Sequence, residues 1–139
     1  MITYKFKKPT LKEFIKLRNA VNWNLEEKGI SDERALKSLE NSPFCVCAYD
    51  KNKIIGMVRM SGDKEMYGYI QDTIVLPAYQ GKGVGSEMVK KLIEPVKNLE
   101  GYLIGLCPSK ISVNFYEKLG FKKREGQNPF MYKEVKPKK

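Results

Sequence analysis

The sequence predicts an α+β (mixed α/β) protein, with elements in the order β α α β β β α β α β β. Three observations carry this reading. Residues 44–76 form three β-rich runs separated by short polar turns, which is the pattern of an antiparallel meander. A glycine-rich loop, an apolar-periodic helix and another strand follow from residue 77, a strand–helix–strand crossover that makes the sheet mixed. A length of 139 residues, with no internal repeat and no long linker, suits one domain. That domain is placed at 1–135, with a lysine-rich tail at 136–139 expected to be disordered.

The elements follow in order. Ile2–Phe6 alternates apolar and polar residues, a strand of period two. Thr10-Leu11-Lys12-Glu13 fits a capping box, and Leu11, Phe14, Ile15 and Val21 extend a helix over residues 10–22. Asn22–Ile30 reads as a connection. Ser31 or Asp32 caps a second helix running to about Asn41, with Ala35, Leu36 and Leu39 inward, and Ser42-Pro43 ends it. Phe44–Tyr49 and Lys53–Met60 are strands joined by Asp50-Lys51-Asn52. Ser61–Lys64 turns into a third strand, Met66–Leu76, which Pro77 stops. Val84, Met88, Val89, Leu92, Ile93 and Val96 repeat at helical spacing, and Pro95 ends or kinks that helix. Tyr102–Cys107 is an apolar strand, Ser109–Leu119 a short helix that Gly120 ends, and Phe121–Lys123 and Phe130–Lys133 are two last strands.

Composition narrows the function. A formal charge of +10 suggests an anionic partner: nucleic acid, a membrane surface or a phosphate-bearing small molecule. The alternative is a solvated lysine surface. The arginines are only Arg18, Arg34, Arg59 and Arg124, and lysine lacks the fork that reads base edges, so nucleic acid is disfavoured. No apolar run approaches the ~20 residues that span a bilayer, so no membrane partner is expected. The first residues lack the apolar core of a secretory signal. Cys45, Cys47 and Cys107 form no Cys-x-x-Cys, which suits small buried hydrophobes in a reducing cytoplasm and gives no metal site. Histidine is absent, which removes imidazole-based hydrolysis, Cys-His proteolysis and His-ligated zinc.

The segment with most chemistry is Gln80-Gly81-Lys82-Gly83-Val84-Gly85, between a strand end at Ile74-Val75-Leu76-Pro77 and a helix. Glycines at 81, 83 and 85 let successive N–H groups converge, and the helix N-terminus adds free N–H groups and a positive dipole end. This is a phosphate site, to which Lys82 adds a mobile charge. The frame of a P-loop is missing, and Met88 stands where a Rossmann fingerprint needs its third glycine. A plain structural turn is the remaining alternative.

The Gln-x-x-Gly-x-Gly frame after a Val-Leu-Pro strand end resembles the GNAT superfamily of acetyl-CoA-dependent N-acetyltransferases. The resemblance is dense over residues 69–85 and continues in Asn114-Phe115-Tyr116-Glu117-Lys118-Leu119-Gly120-Phe121. It implies the GNAT-type fold, an antiparallel meander plus a splayed parallel strand pair flanked by helices. It also implies acetyl transfer from acetyl-CoA directly to a primary amine. The implied pyrophosphate site is Gly81, Lys82, Gly83, Val84, Gly85 and Ser86, with Gln80 shaping the turn. The pantetheine arm is expected along Ile74, Val75 and Leu76, hydrogen-bonded by the backbone of Ile74 and Leu76. Tyr116 is the implied acid for the coenzyme A thiolate, and Asp72 a base or an anchor for the amine. The similar segment of glucosamine-phosphate acetyltransferases carries Glu-Asp where this chain has Gln71-Asp72. Ser109 stands where many relatives place an asparagine on the cofactor arm, and Ser109 or Asn114 is a substitute. Cys107, without an evident base, is expected to pack in the core rather than carry an acyl group. Trp23, Asn24, Arg59 and Tyr67 are candidate substrate contacts. The acceptor is expected to be a small-molecule amine. A protein amine, or a basic nucleic-acid- or ribosome-associated binding module on the same fold, are the alternatives. The sequence leaves the oligomeric state open, a homodimer included.

Overall fold

A computed structural model describes residues 1–124, 131 and 133, and divides into two units, Met1–Cys107 and Pro108–Lys139. The first unit holds β1 (Ile2–Phe6), α1 (Leu11–Ala20), α2 (Asp32–Glu40), β2 (Phe44–Asp50), β3 (Lys53–Gly62), β4 (Tyr67–Val75), α3 (Val84–Ile93) and β5 (Leu103–Gly105). Its strands form one sheet in the order β1-β2-β3-β4-β5, antiparallel except for the β4–β5 pair. The α+β reading and its crossover stand.

Both faces of the sheet are covered. Side chains alternate along a strand, so Cys45, Cys47 and Tyr49 face one way and Val46 and Ala48 the other. The first set joins Phe14 and Leu17 of α1, Ala35 and Leu39 of α2, Met57 and Ile74 in one buried cluster. Each of those large side chains contributes about 1.5–3 kcal/mol. The opposite face takes α3 through Val84, Met88, Val89 and Leu92, all buried. The helix lies close because Gly56 has no side chain: a Cβ there would meet Met88 Cε at 3.0 Å and the Ile74 carbonyl at 2.9 Å.

Thr10 and Glu13 do form the capping box on α1. Leu36 departs from expectation and is 40% exposed. The nine-residue α2 presents one stripe, Ala35 and Leu39 four residues apart, and Leu36 lies about 100° round from Ala35. Helix α3 stops at Ile93, before Pro95, and β5 is shorter than Tyr102–Cys107. Cys45 and Cys47 are buried thiols, whereas Cys107 is exposed rather than packed in the core. The hydrogen bond with Cys45, then burial, pushes the Cys47 thiol far up, so Cys47 is no ready nucleophile.

The turn between β3 and β4 hangs on Asp63. Its Oδ1 accepts from the N–H groups of Glu65 (2.8 Å), Met66 (2.6 Å) and Tyr67 (3.3 Å), which lowers its carboxyl pKa. A carboxyl lowered by folding stabilises above its unfolded pKa, and the benefit disappears as pH falls through the folded value. Asp63→Ala should therefore melt below the wild type at pH 7. The gap should close as the pH drops below about 4, as thermal scans across pH would show.

The second unit, taken by itself, holds a short 3₁₀ turn at Lys110–Ser112 and α4 (Val113–Lys118). Gly120, at φ 94°, ends α4 as expected. Its N–H donates to the Glu117 carbonyl (3.0 Å) and that of Phe121 to the Tyr116 carbonyl (3.1 Å), a Schellman ending. The Phe121 amide is thus used by the helix terminus, and Phe121–Lys123 is not a strand. The strand expected at Phe130–Lys133 and the tail at 136–139 lie outside the described residues.

Candidate active site

Strand β4 connects two features: a cleft beside its middle and the glycine loop after its end. Between Met57 and Arg59 the β3–β4 register shifts, so β4 bulges at Asp72, whose φ is 52°. Asp tolerates this left-handed conformation better than most residues, and such strained positions gather at functional sites. The bulge brings the Asp72 carboxylate between two arginines. Arg18 Nη1 donates to Oδ1 at 2.5 Å and Arg59 Nε to Oδ2 at 2.7 Å. All three side chains are 8–9% exposed, so this is a buried ion triad.

Each arginine is further fixed. Arg18 Nε donates to the Trp23 carbonyl at 2.8 Å, and its guanidinium lies over the Phe14 and Trp23 rings. Arg59 Nη1 donates to the carbonyl and hydroxyl of Ser38 and to the hydroxyl of Ser42. The triad thereby ties α1, α2, β3 and β4 around a cleft of about 520 Å³. Its walls include Phe14, Trp23 and Tyr69, and its charged lining is Arg18, Lys28, Arg34, Arg59 and Asp72. Burial, then the nearby Cys107 thiol, raises the Tyr69 phenol above its ordinary pKa.

Of the expected substrate contacts, Trp23 and Arg59 line this cleft, as does Asp72. Two others do not. Asn24 is engaged locally, its Oδ1 accepting from the Glu27 N–H at 3.2 Å and its Nδ2 donating to Asn19 at 3.3 Å. Tyr67 is 55% exposed at the start of β4, opposite Leu103. The residues missed are Arg18, Lys28, Arg34, Ser38, Tyr69 and Gln71. For Arg18 there was a signal: it lies four residues after Phe14, on the apolar stripe of α1.

Beyond β4, Pro77–Tyr79 forms a 3₁₀ turn, and the loop is held from three sides. Gln80 Nε2 donates to the Val75 carbonyl at 2.9 Å, which is how Gln80 shapes the turn. Tyr79 Oη donates to Asp50 Oδ2 at 2.6 Å, and the Lys82 ammonium lies over the Tyr79 ring at 5.6 Å. Gly81 and Gly83 have φ of 78° and 82°, which L side chains rarely adopt. No side chain caps α3 at Gly83, and the first helical bond runs from the Glu87 N–H to the Gly83 carbonyl. The N–H groups of Val84, Gly85 and Ser86 therefore have no helical acceptor, the chemistry that suits an anion at this helix end.

The strand before the loop has one side open. Parallel pairing of β4 with β5 covers Tyr67–Tyr69 and ends there, so among the described residues no strand pairs with that side from Ile70 on. Which backbone groups face the gap departs from expectation. The Leu76 N–H donates to the Ile55 carbonyl at 2.8 Å, and the Leu76 carbonyl accepts from Tyr79. Backbone direction alternates along a strand, so Ile74, in register with Met57, also faces β3. Val75 therefore faces the open side, with its carbonyl held by Gln80 and its N–H directed to the gap.

Ser109, Asn114 and Tyr116 belong to the second unit. Ser109 shares a hydrogen bond with the Ser112 hydroxyl at 2.9 Å and precedes the 3₁₀ turn, and Asn114 is exposed on α4. Tyr116 is buried, with edge-on ring contacts to Phe115 (4.9 Å) and Phe121 (5.7 Å). Among the described residues no cluster could hold a metal ion, and no helix is long and apolar enough to cross a membrane.

Comparison with known proteins gives these features a family. Residues 10–121 match the profile of the acetyltransferase (GNAT) family. A glucosamine 6-phosphate N-acetyltransferase of Trypanosoma brucei brucei is 40% identical over 109 residues, covering 74% of this chain and 73% of that protein. The GCN5-related N-acetyltransferase 2 of Arabidopsis thaliana chloroplasts is 37% identical over 71 residues, 51% of this chain but only 28% of its own length. A probable acetyltransferase from meticillin-resistant Staphylococcus aureus superposes with a TM-score of 0.80 at 31% identity, covering 97% of this chain and 100% of that one. Family profile, relatives and fold agree with the loop and the open strand: the chain belongs to the GNAT acetyltransferase family.

Proposed function

We propose that the protein moves the acetyl group of acetyl-CoA to the primary amine of a small molecule seated in the cleft. The observation that carries this reading is that one strand, β4, lines a half-open cleft at Asp72 and leads into the glycine loop at Gly81–Ser86, whose helix end has N–H groups without helical acceptors. The phosphates of coenzyme A suit the N–H groups of Val84, Gly85 and Ser86 and the charge of Lys82. The open side of β4 at Val75 suits an extended arm.

When bound, acetyl-CoA supplies an acetyl group activated as a thioester. The chain's own residues orient the two reactants and manage protons, and orientation alone can contribute about 7–11 kcal/mol. The attacking amine must be neutral. Both Asp72 oxygens already accept from guanidinium groups, so Asp72 is better suited to position Arg18 and Arg59 than to take a proton. A cleft rich in positive charge itself favours the neutral form of a bound amine, since like charges disfavour an ammonium. That division of labour needs no histidine. Tyr116 is assigned the proton for the departing thiolate from the resemblance in residues 114–121, and Ser109 and Asn114 remain candidate contacts to the cofactor arm. A small-molecule acceptor is supported by the cleft's volume of about 520 Å³ and by the trypanosomal relative, a glucosamine 6-phosphate N-acetyltransferase.

The test is thiol release from acetyl-CoA against a panel of primary amines, with calorimetry of acetyl-CoA binding alongside. Release that depends on the amine, together with an acetylated product by mass spectrometry, is expected. Neither binding nor release across the panel would remove the reading.

A further inference from the structure

The cleft holds more positive charge than its own carboxylate can balance. Its lining has four cationic side chains, Arg18, Lys28, Arg34 and Arg59, and one acid, Asp72. Three of the chain's four arginines are gathered here, although lysine dominates the rest of the sequence. Within the triad, one carboxylate faces two guanidinium groups with side chains 8–9% exposed. Burying an uncompensated charge is costly, so a buried excess that a fold maintains calls for a partner of opposite sign.

The hydrogen bonds show which groups wait for that partner. Arg18 uses Nε on Trp23 and Nη1 on Asp72; Arg59 uses Nε on Asp72 and Nη1 on Ser38 and Ser42. The Nη2 groups of both have no acceptor among the described residues. They are not sealed in the protein either, because among the described residues the one wholly buried side-chain N or O atom without a partner is Tyr49 Oη. Both arginines line the cleft, which is the space available to these N–H groups. Arg34 projects from α2, with Lys28 just before that helix, and both are exposed where they line the cleft. Planar forks at fixed positions match a carboxylate or a phosphate, which take paired N–H donors. Phe14, Trp23 and Tyr69 leave apolar surface for a carbon framework between the anion and the amine.

We infer that the acceptor is a primary amine that also carries an anionic group, carboxylate or phosphate. The uncommitted N–H groups of Arg18 and Arg59, together with Arg34 and Lys28, receive that group. This rests on the acetyltransferase reading for the amine, but the anion site stands on the cleft alone. A neutral or polycationic amine leaves the arginine excess uncompensated and is rejected.

Matched amines test it: 2-aminoethanol, 3-aminopropanoate and 2-aminoethyl phosphate, then glucosamine and its 6-phosphate. The anionic members should exceed their neutral partners in kcat/KM by about 10- to 100-fold, the range of a charged hydrogen bond. The carboxylate and phosphate arms show which anion fits. Arg34→Gln, an exposed substitution, should lower the anionic-to-neutral ratio several-fold. A calorimetric titration of the phosphate-bearing amines into the free protein, without acetyl-CoA, supplies a readout apart from turnover. Neutral amines turned over as well as their anionic partners would overturn the inference and leave the acetyltransferase reading intact. No thiol release from any amine, with saturable phosphate-ester binding that Arg34→Gln weakens, would do the reverse. Absence of both signals would overturn both.

Discussion

Asp72→Ala should unfold about 3–5 kcal/mol more easily than the wild type, a fall of roughly 10 °C in Tm, measurable by urea titration and thermal scans. The substitution leaves Arg18 and Arg59 facing each other with nothing between them. Both side chains are at least nine-tenths buried, so water entering from the cleft replaces the carboxylate's charge poorly. Alanine also tolerates φ near 52° less well than Asp, adding about 1 kcal/mol. Asp72→Asn separates the two effects. It keeps the backbone preference and an acceptor oxygen while losing the charge, and it should lie between alanine and wild type. A stable Asp72→Ala protein with abolished turnover would instead make Asp72 the proton acceptor. Loss of stability with turnover reduced only through a poorer KM for the acceptor supports the positioning role argued above.

What the sequence revealed of this site divides along physical lines. The glycine loop was legible because its chemistry is local: three glycines, a strand end and a helix start lie within a dozen residues. The same holds for the capping box at Thr10 and the Gly120 helix ending, each set by a few consecutive residues. The arginine triad was not legible, because Arg18 and Asp72 are 54 residues apart and meet only through packing of α1 on the sheet. Arg59 is legible as a candidate from its place on the meander, but its partner is not. The bulge that turns Asp72 inward leaves no trace in composition. Strand parity was hidden too. Whether Val75 or its neighbours face the open side depends on register with β3, and a one-residue slip reverses it. Asn24 and Tyr67 show the opposite error, since lying in the right segment does not orient a side chain towards the cleft.

Tyr116→Phe should keep the fold and acetyl-CoA affinity while lowering kcat by roughly 10- to 10,000-fold, the range for loss of a general acid. The fold argument is local to α4. Tyr116 contacts Phe115 and Phe121 edge-on, and its carbonyl accepts from Phe121 in the Schellman ending. Phenylalanine keeps these ring contacts and the backbone bonds of the helix ending, so α4 is expected to stay folded. The kinetic loss alone does not identify an acid, because a displaced ring would also slow turnover. The leaving group separates the two. When an acetyl thioester of an acidic aryl thiol reacts, its C–S bond breaks to release the aryl thiolate, a stable anion that needs no proton, so the variant's defect should shrink with that donor. A displaced ring would slow both donors equally. Equal defects with acetyl-CoA and the aryl thioester would therefore reduce Tyr116 to packing, and would send the search for the acid elsewhere on the chain.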